Sequence, residues 1–211
     1  MKPGQKFRNA LKNNKPLIIP GTINAYSAKL AELANHNSIY LSGSGVAAAS
    51  YGLPDLGVTT LENVLIDAKR ITSATSLPLL VDIDTGWGDF DAISNTIIEM
   101  GNANVAAVHI EDQIFDKRCG HRPNKQLVSI DEMQDRLKAA LDAKIDDSFF
   151  IMARTDALAS EGIEKAIERC GKYLDVGADG IFFEAAVSIE EYKEFKNNFS
   201  APLLANITEF G

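Results

Sequence analysis

Residues 77–84 read Leu77-Pro78-Leu79-Leu80-Val81-Asp82-Ile83-Asp84, and residues 105–112 read Val105-Ala106-Ala107-Val108-His109-Ile110-Glu111-Asp112. Each is a short apolar run that ends in acids. Runs this short, apolar on both alternating faces, predict parallel strands buried on both sides. The same form recurs at 17–19, 39–41, 149–152, 180–183 and 202–207. Between the runs, 28–34, 60–73, 91–100, 130–143, 162–176 and 188–197 set apolar residues at three- and four-residue spacings with charges between them, which predicts covering helices. Ser188 and Glu191 supply a capping box at the start of the last.

This βαβα rhythm fits two architectures. No Gly-x-Gly-x-x-Gly or P-loop pattern follows the first run, so a (β/α)8 TIM-type barrel is preferred over a doubly wound nucleotide-binding sheet. About seven strands are expected, and Thr208-Glu209-Phe210-Gly211 ends the chain straight after the last. The expectation is one α/β barrel domain over 1–211, truncated after about the seventh strand and lacking the C-terminal strand and helices. Open strand edges would then be an aggregation liability.

At 211 residues, 45% hydrophobic and 24% charged, the composition suits one globular domain. A net charge of -8 argues against a nucleic acid or an anionic membrane as partner and points to a small ligand. Cys119 lies among Lys117, Arg118 and His121, whereas Cys170 lies in a helical pattern. That contrast speaks against a disulfide and fits a reducing cytoplasm. The N-terminal stretch Met1-Lys2-Pro3-Gly4-Gln5-Lys6 opens a charged amphipathic segment, so neither export nor a membrane anchor is expected.

In a barrel, polar groups at the C-terminal strand ends converge on one mouth. Here the runs end in Ser42-Gly43-Ser44-Gly45, Asp82-Ile83-Asp84, Glu111-Asp112, Arg154-Thr155-Asp156, Glu184 and Asn206-Ile207-Thr208. Strand alternation turns Asp82 and Asp84 to one face, with Ile83 opposite. Taken alone, Asp-x-Asp suits a helix cap or a loop ion pair. Joined by Glu111 from the next strand, these carboxylates repel unless a cation or protons compensate. No histidine or cysteine stands among the candidate ligands, so a hard, partly hydrated Mg²⁺ fits best, with Mn²⁺ as a substitute. The segment Lys117-Arg118-Cys119-Gly120-His121-Arg122 embeds a thiol among cations, which lower its pKa and favour the thiolate. Read blandly, it is an exposed basic loop with an incidental cysteine. Cys170, His36 and His109 are expected to be structural.

Four segments carry a resemblance: residues 117–125 (Lys-Arg-Cys-Gly-His-Arg-Pro-Asn-Lys), 109–113 (His-Ile-Glu-Asp-Gln), 51–55 (Tyr-Gly-Leu-Pro-Asp) and 204–211 (Leu-Ala-Asn-Ile-Thr-Glu-Phe-Gly). With them, the chain from about Pro16 to Gly211 resembles the 2-methylisocitrate lyases of the isocitrate lyase and phosphoenolpyruvate mutase superfamily. The resemblance implies cleavage of 2-methylisocitrate to pyruvate and succinate in propionate catabolism by the methylcitrate cycle. It also implies a homotetramer whose last barrel helix is exchanged between subunits. Carried over by position, Asp82, Asp84, Glu111 and Asp55 match the metal-site acids, directly or through water. Tyr40, Ser42, Gly43 and Ser44 match the substrate-binding strand end, although relatives often have Gly or Ala at Ser44. Gly120 and His121 belong to the substrate-side cysteine motif, and Arg154, Glu184, Asn206 and Thr208 match groups that grip the tricarboxylate substrate. The mechanism this implies uses Tyr40 or a metal-bound water as base and Cys119 as general acid, with Arg154 balancing carboxylate charge. Isocitrate cleavage, oxaloacetate hydrolysis and an inactive barrel remnant are the alternatives, and Phe182 is a candidate lining for the substrate methyl.

Overall fold

The computed structural model of the protein describes residues 1–115 and 125–207. In chain order its elements are α1 (Pro3–Asn13), α2 (Ala25–Leu33), β1 (Ile39–Leu41), α3 (Gly43–Tyr51), α4 (Leu61–Ala74), β2 (Leu79–Asp82), α5 (Phe90–Asn102), β3 (Ala107–Glu111), α6 (Ile130–Asp142), β4 (Phe150–Thr155), α7 (Leu158–Glu161), α8 (Ile163–Val176), β5 (Gly180–Phe183), α9 (Ile189–Asn198) and β6 (Leu203–Leu204). The strands form one parallel sheet in the order β1-β2-β3-β4-β5-β6, a TIM-type half-barrel. Consecutive strands are neighbours because each is joined to the next by a helical crossover.

The two-residue period of the strands divides the core. Leu79, Val81 and Ile83, then Val108 and Ile110, Ile151 and Ala153, Ile181 and Phe183, pack outward under the helices. Leu80, Ala107, Phe150, Met152 and Phe182 point inward and form a second cluster with Phe7. Strands that bury both faces must be apolar throughout, which is how these runs read.

The amphipathic N-terminal stretch becomes α1, which floors the inner cluster. Phe7 is fully buried and meets Phe150 edge to face with ring centroids 5.2 Å apart. Arg8 donates to the carbonyls of Ser148 and Phe149 and pairs with Asp179 at 2.8 Å. Truncating Phe7 to alanine should lower unfolding free energy by about 3–5 kcal/mol, measured by urea denaturation. A loss under about 1 kcal/mol would remove α1 from the core.

Most helix expectations hold to within a few residues, and the Ser188–Glu191 capping box is present. Thr60 and Asn63 make a second box on α4. Two runs are corrected. Residues 17–19 form no strand; the chain there makes a single parallel bridge, Gly21 to Tyr40. Tyr40 N–H donates to the Pro20 carbonyl at 3.0 Å and Thr22 N–H to the Tyr40 carbonyl at 2.7 Å, but Pro20 has no N–H with which to extend a ladder. The run 202–207 contributes only Leu203 and Leu204 to the sheet. Among the described residues, no helix is long and apolar enough to cross a membrane.

Candidate active site

The parallel register stacks side chains on the concave face in layers. Asp82 lies beside His109, Glu111 beside Arg154, and Arg154 beside Phe182. Above the apolar floor sits a layer of Tyr40, His109 and Phe182. The Tyr40 hydroxyl is 2.9 Å from His109 Nε2, their rings stack at 5.7 Å, and Phe182 meets the imidazole edge-on at 4.9 Å. His109 is fully buried and its Nδ1 is 3.7 Å from Asp82 Oδ1. The histidine expected to be structural therefore lies inside the site. Its place two residues before Glu111, on the same strand face, is the sequence signal that marks it.

Over this layer lie the acids. Asp82, Asp84, Glu111 and Glu184 are all at least 95% buried. Asp82 ends β2, and its Oδ1 accepts from the Asp84 N–H at 3.0 Å. Asp84 reaches the mouth by turning left-handed, with φ +48°, rather than by strand alternation. Its carbonyl accepts from Glu111 N–H at 2.9 Å, which ties the turn to β3. Both aspartates face the start of α3. Gly43 N–H donates to Asp82 Oδ2 at 3.2 Å, and a Cβ on Gly43 would sit 3.2 Å from that oxygen and 3.3 Å from Asp84 Oδ1. A Cβ there would crowd both carboxylates, so glycine is favoured where the helix meets them.

Ser42 caps α3, its side chain accepting from Gly45 N–H at 3.3 Å. The helix thus starts at the mouth, with its N-terminal dipole toward the acids. Ser44 lies exposed in the first turn, and it is Gly43 that lies against the carboxylates. Asp55 occupies a bend between α3 and α4 and is partly exposed.

Arg154 is the cation of the inner mouth. Its Nε is 3.3 Å from Glu111 Oε2, and its guanidinium carbon lies 4.9 Å over the Phe182 ring. Burial opposes its charge, but Asp156, Glu111 and Glu184 outweigh that and hold its pKa well above the usual value. Phe182 thus supports Arg154 and His109. Burial first, and then the charge of Asp82, pushes the Tyr40 phenol well above its ordinary pKa, so the hydroxyl keeps its proton until an acceptor takes it. Asn206 Nδ2 approaches Glu184 Oε2 at 3.5 Å. Cys119, Gly120, His121 and Thr208 lie outside the described residues. The chain on either side of residues 116–124 is fixed by the antiparallel bridge of Gln113 to Leu127, with Ile114 N–H donating to the Gln126 carbonyl at 2.9 Å. Cys170 is buried against the helices, and burial pushes its thiol pKa well up, as suits a packing residue.

The donor set fits a hard cation: carboxylate oxygens of Asp82, Asp84 and Glu111 around a cradle that a Cβ at Gly43 would fill. Among the described residues, no three His, Cys, Asp or Glu side chains close around one point.

A parallel half-barrel with a helix N-terminus, a buried guanidinium and clustered acids at its C-terminal mouth defines an enzyme of the α/β-barrel class. A family model described as phosphoenolpyruvate phosphomutase matches residues 7–210, and the chain belongs to that family, within the phosphoenolpyruvate mutase and isocitrate lyase superfamily. It is 61% identical over 208 residues to a 2-methylisocitrate lyase of Shewanella oneidensis, covering 99% of this chain and 71% of the relative. Among solved structures it resembles a 2,3-dimethylmalate lyase with a TM-score of 0.94 at 35% identity, covering 100% of this chain and 72% of the other. It also resembles an oxaloacetate acetylhydrolase in complex with 3,3-difluorooxalacetate, with a TM-score of 0.91 at 36% identity, covering 96% and 70%. Members of this superfamily are typically divalent-metal dependent.

Proposed function

We propose that this protein is a carbon–carbon lyase that cleaves 2-methylisocitrate to pyruvate and succinate with Mg²⁺ as its cation. The observation that carries the reading is kinship to the Shewanella lyase far closer than to the dimethylmalate lyase or the acetylhydrolase. The mouth suits a tricarboxylate: Arg154 and the α3 N-terminus favour anions, and the acid cluster suits a cation that would bridge to them.

Asp82, Asp84 and Glu111, together with Asp55 from the matching family segment, would hold the metal directly or through water. When bound, the cation polarises the substrate hydroxyl and its neighbouring carboxylate. Tyr40 takes the hydroxyl proton while passing its own to His109, which stands 2.9 Å away. The freed oxygen pair forms the ketone of pyruvate as the carbon–carbon bond breaks, and the bonding electrons pass to the succinate half. Cys119 then protonates that carbanion. Arg154, with Ser42, Gly43, Ser44, Gly120, His121, Glu184, Asn206 and Thr208, would orient the carboxylates. A homotetramer, carried by the family resemblance, is the proposed assembly.

Turnover on 2-methylisocitrate, isocitrate and oxaloacetate, each with Mg²⁺, tests the reading. Pyruvate and succinate should appear in equal amounts, with the highest kcat/KM on 2-methylisocitrate. A higher kcat/KM on oxaloacetate would transfer the protein to the hydrolase activity.

A further inference from the structure

Arg154 is held by a second carboxylate on its own stretch of chain. Asp156, fully buried two residues further along the same chain, accepts from Arg154 Nε at 3.0 Å on Oδ2 and from Nη2 at 3.2 Å on Oδ1. This is a fork-to-fork pair, which fixes the plane of the guanidinium as well as its position. Oδ1 of Asp156 also accepts from Lys125 Nζ at 2.8 Å, and the Lys125 side chain is only 2% exposed. The main-chain N–H of Asp156 donates to Asp112 Oδ1 at 2.9 Å. Asp112 is held in turn by the hydroxyls of Thr155 at 2.7 Å and Tyr173 at 2.9 Å.

The need for such a clamp follows from the mouth itself. Glu111 is already 3.3 Å from Arg154 Nε, and Glu184 lies close enough to act on its charge. A guanidinium free to rotate would be captured by these carboxylates and would meet a substrate already neutralised. With Nε and Nη2 committed to Asp156, Nη1 donates to none of the described residues. Lys125 matters for a second reason. One carboxylate shared by two cations leaves the trio a formal charge of +1, whereas Asp156 and Arg154 alone would cancel.

We propose that Asp156, balanced by Lys125, is the positioning residue that aims Arg154 at a substrate carboxylate and keeps its charge available. Neither residue touches substrate. The proposal rests on the reading of Arg154 as a carboxylate grip, and the two are tested separately. Kinetics on 2-methylisocitrate with Mg²⁺, and calorimetric binding of succinate as the probe, are measured for Asp156→Asn, Arg154→Lys, their double variant, Lys125→Gln and Lys125→Arg. Asp156→Asn should lower kcat/KM by about 10²-fold, the scale of a misplaced binding group. Adding it to Arg154→Lys should cost no more than about threefold further, because residues acting through one group are not additive. Lys125→Gln should lose about tenfold, as for a lost hydrogen bond to a charge, and Lys125→Arg should recover most of that. Losses that multiply in the double variant, or native kcat/KM in Asp156→Asn, overturn the proposal. If Asp156→Asn does not fold, the Lys125 pair decides: rescue by arginine supports the clamp, and equal loss or no loss in both overturns it. If the native protein binds succinate but does not cleave 2-methylisocitrate, the lyase reading fails alone, and the same variants judge the clamp by succinate affinity.

Discussion

Replacing Cys119 with serine is expected to leave 2-methylisocitrate binding near its native level and to lower kcat by about 10²-fold or more, the scale of a lost general acid. The substitution keeps the size of the side chain and a donor hydrogen. What it removes is acidity. A thiol set among Lys117, Arg118 and His121 sits in a cationic stretch that stabilises its conjugate base, so it can release a proton at neutral pH. A serine hydroxyl cannot. The succinate carbanion would then wait for water, and the loss would appear in kcat and kcat/KM with little change in KM. Near-native kcat in the serine variant would sink the assignment. A raised KM with unchanged kcat would move Cys119 from proton donor to binding group.

Stripping the protein with EDTA should abolish cleavage, and Mg²⁺ should restore it, with Mn²⁺ as a working substitute. The force behind this is electrostatic. Asp82, Asp84, Glu111 and Glu184 are buried around one mouth with Arg154, and that guanidinium is already shared with Asp156. Buried like charges raise the free energy of the folded state until a cation compensates them. A readout independent of turnover follows from the same force: Mg²⁺ should raise the melting temperature by a few degrees, since a ligand of the native state alone stabilises it by mass action. Asp82→Asn should weaken that shift. Activity indifferent to both chelator and metal would take the carboxylate cluster out of the mechanism.

Much of this site is legible in the chain because strand geometry is local. A period of two places Asp82, Glu111, Arg154 and Glu184 at strand ends, and parallel strands deliver those ends to one mouth. The same rule, applied one step further, reaches His109, which shares a strand face with Glu111. It also reaches Asp156, which follows Arg154 at the same spacing. The first run has the composition of a strand, but the prolines on either side of its three apolar residues, Pro16 and Pro20, have no N–H to donate to a ladder. Alternation alone does not bring Asp84 to the mouth, since the strand stops at Asp82 and a left-handed turn does the rest.

By itself the sequence determined the alternation of buried strands and amphipathic helices, the acids and guanidinium at the strand ends, and the cation-flanked thiol, all of which rest on residue type and spacing within a few positions. Only the tertiary structure decided which of these groups meet. Tyr40 and His109 are 69 residues apart, and Lys125 and Asp156 are 31 apart. The first contact follows from the parallel register of β1, β2 and β3, and the second from the Gln113–Leu127 bridge that fixes the chain beside Lys125. The glycine that the mouth favours is Gly43 rather than Gly45 for the same reason: packing sets the first of these against the Asp82 and Asp84 carboxylates and the second against Ile23. Spacing along a chain sets the face of an element, and distance between elements is set only when they pack.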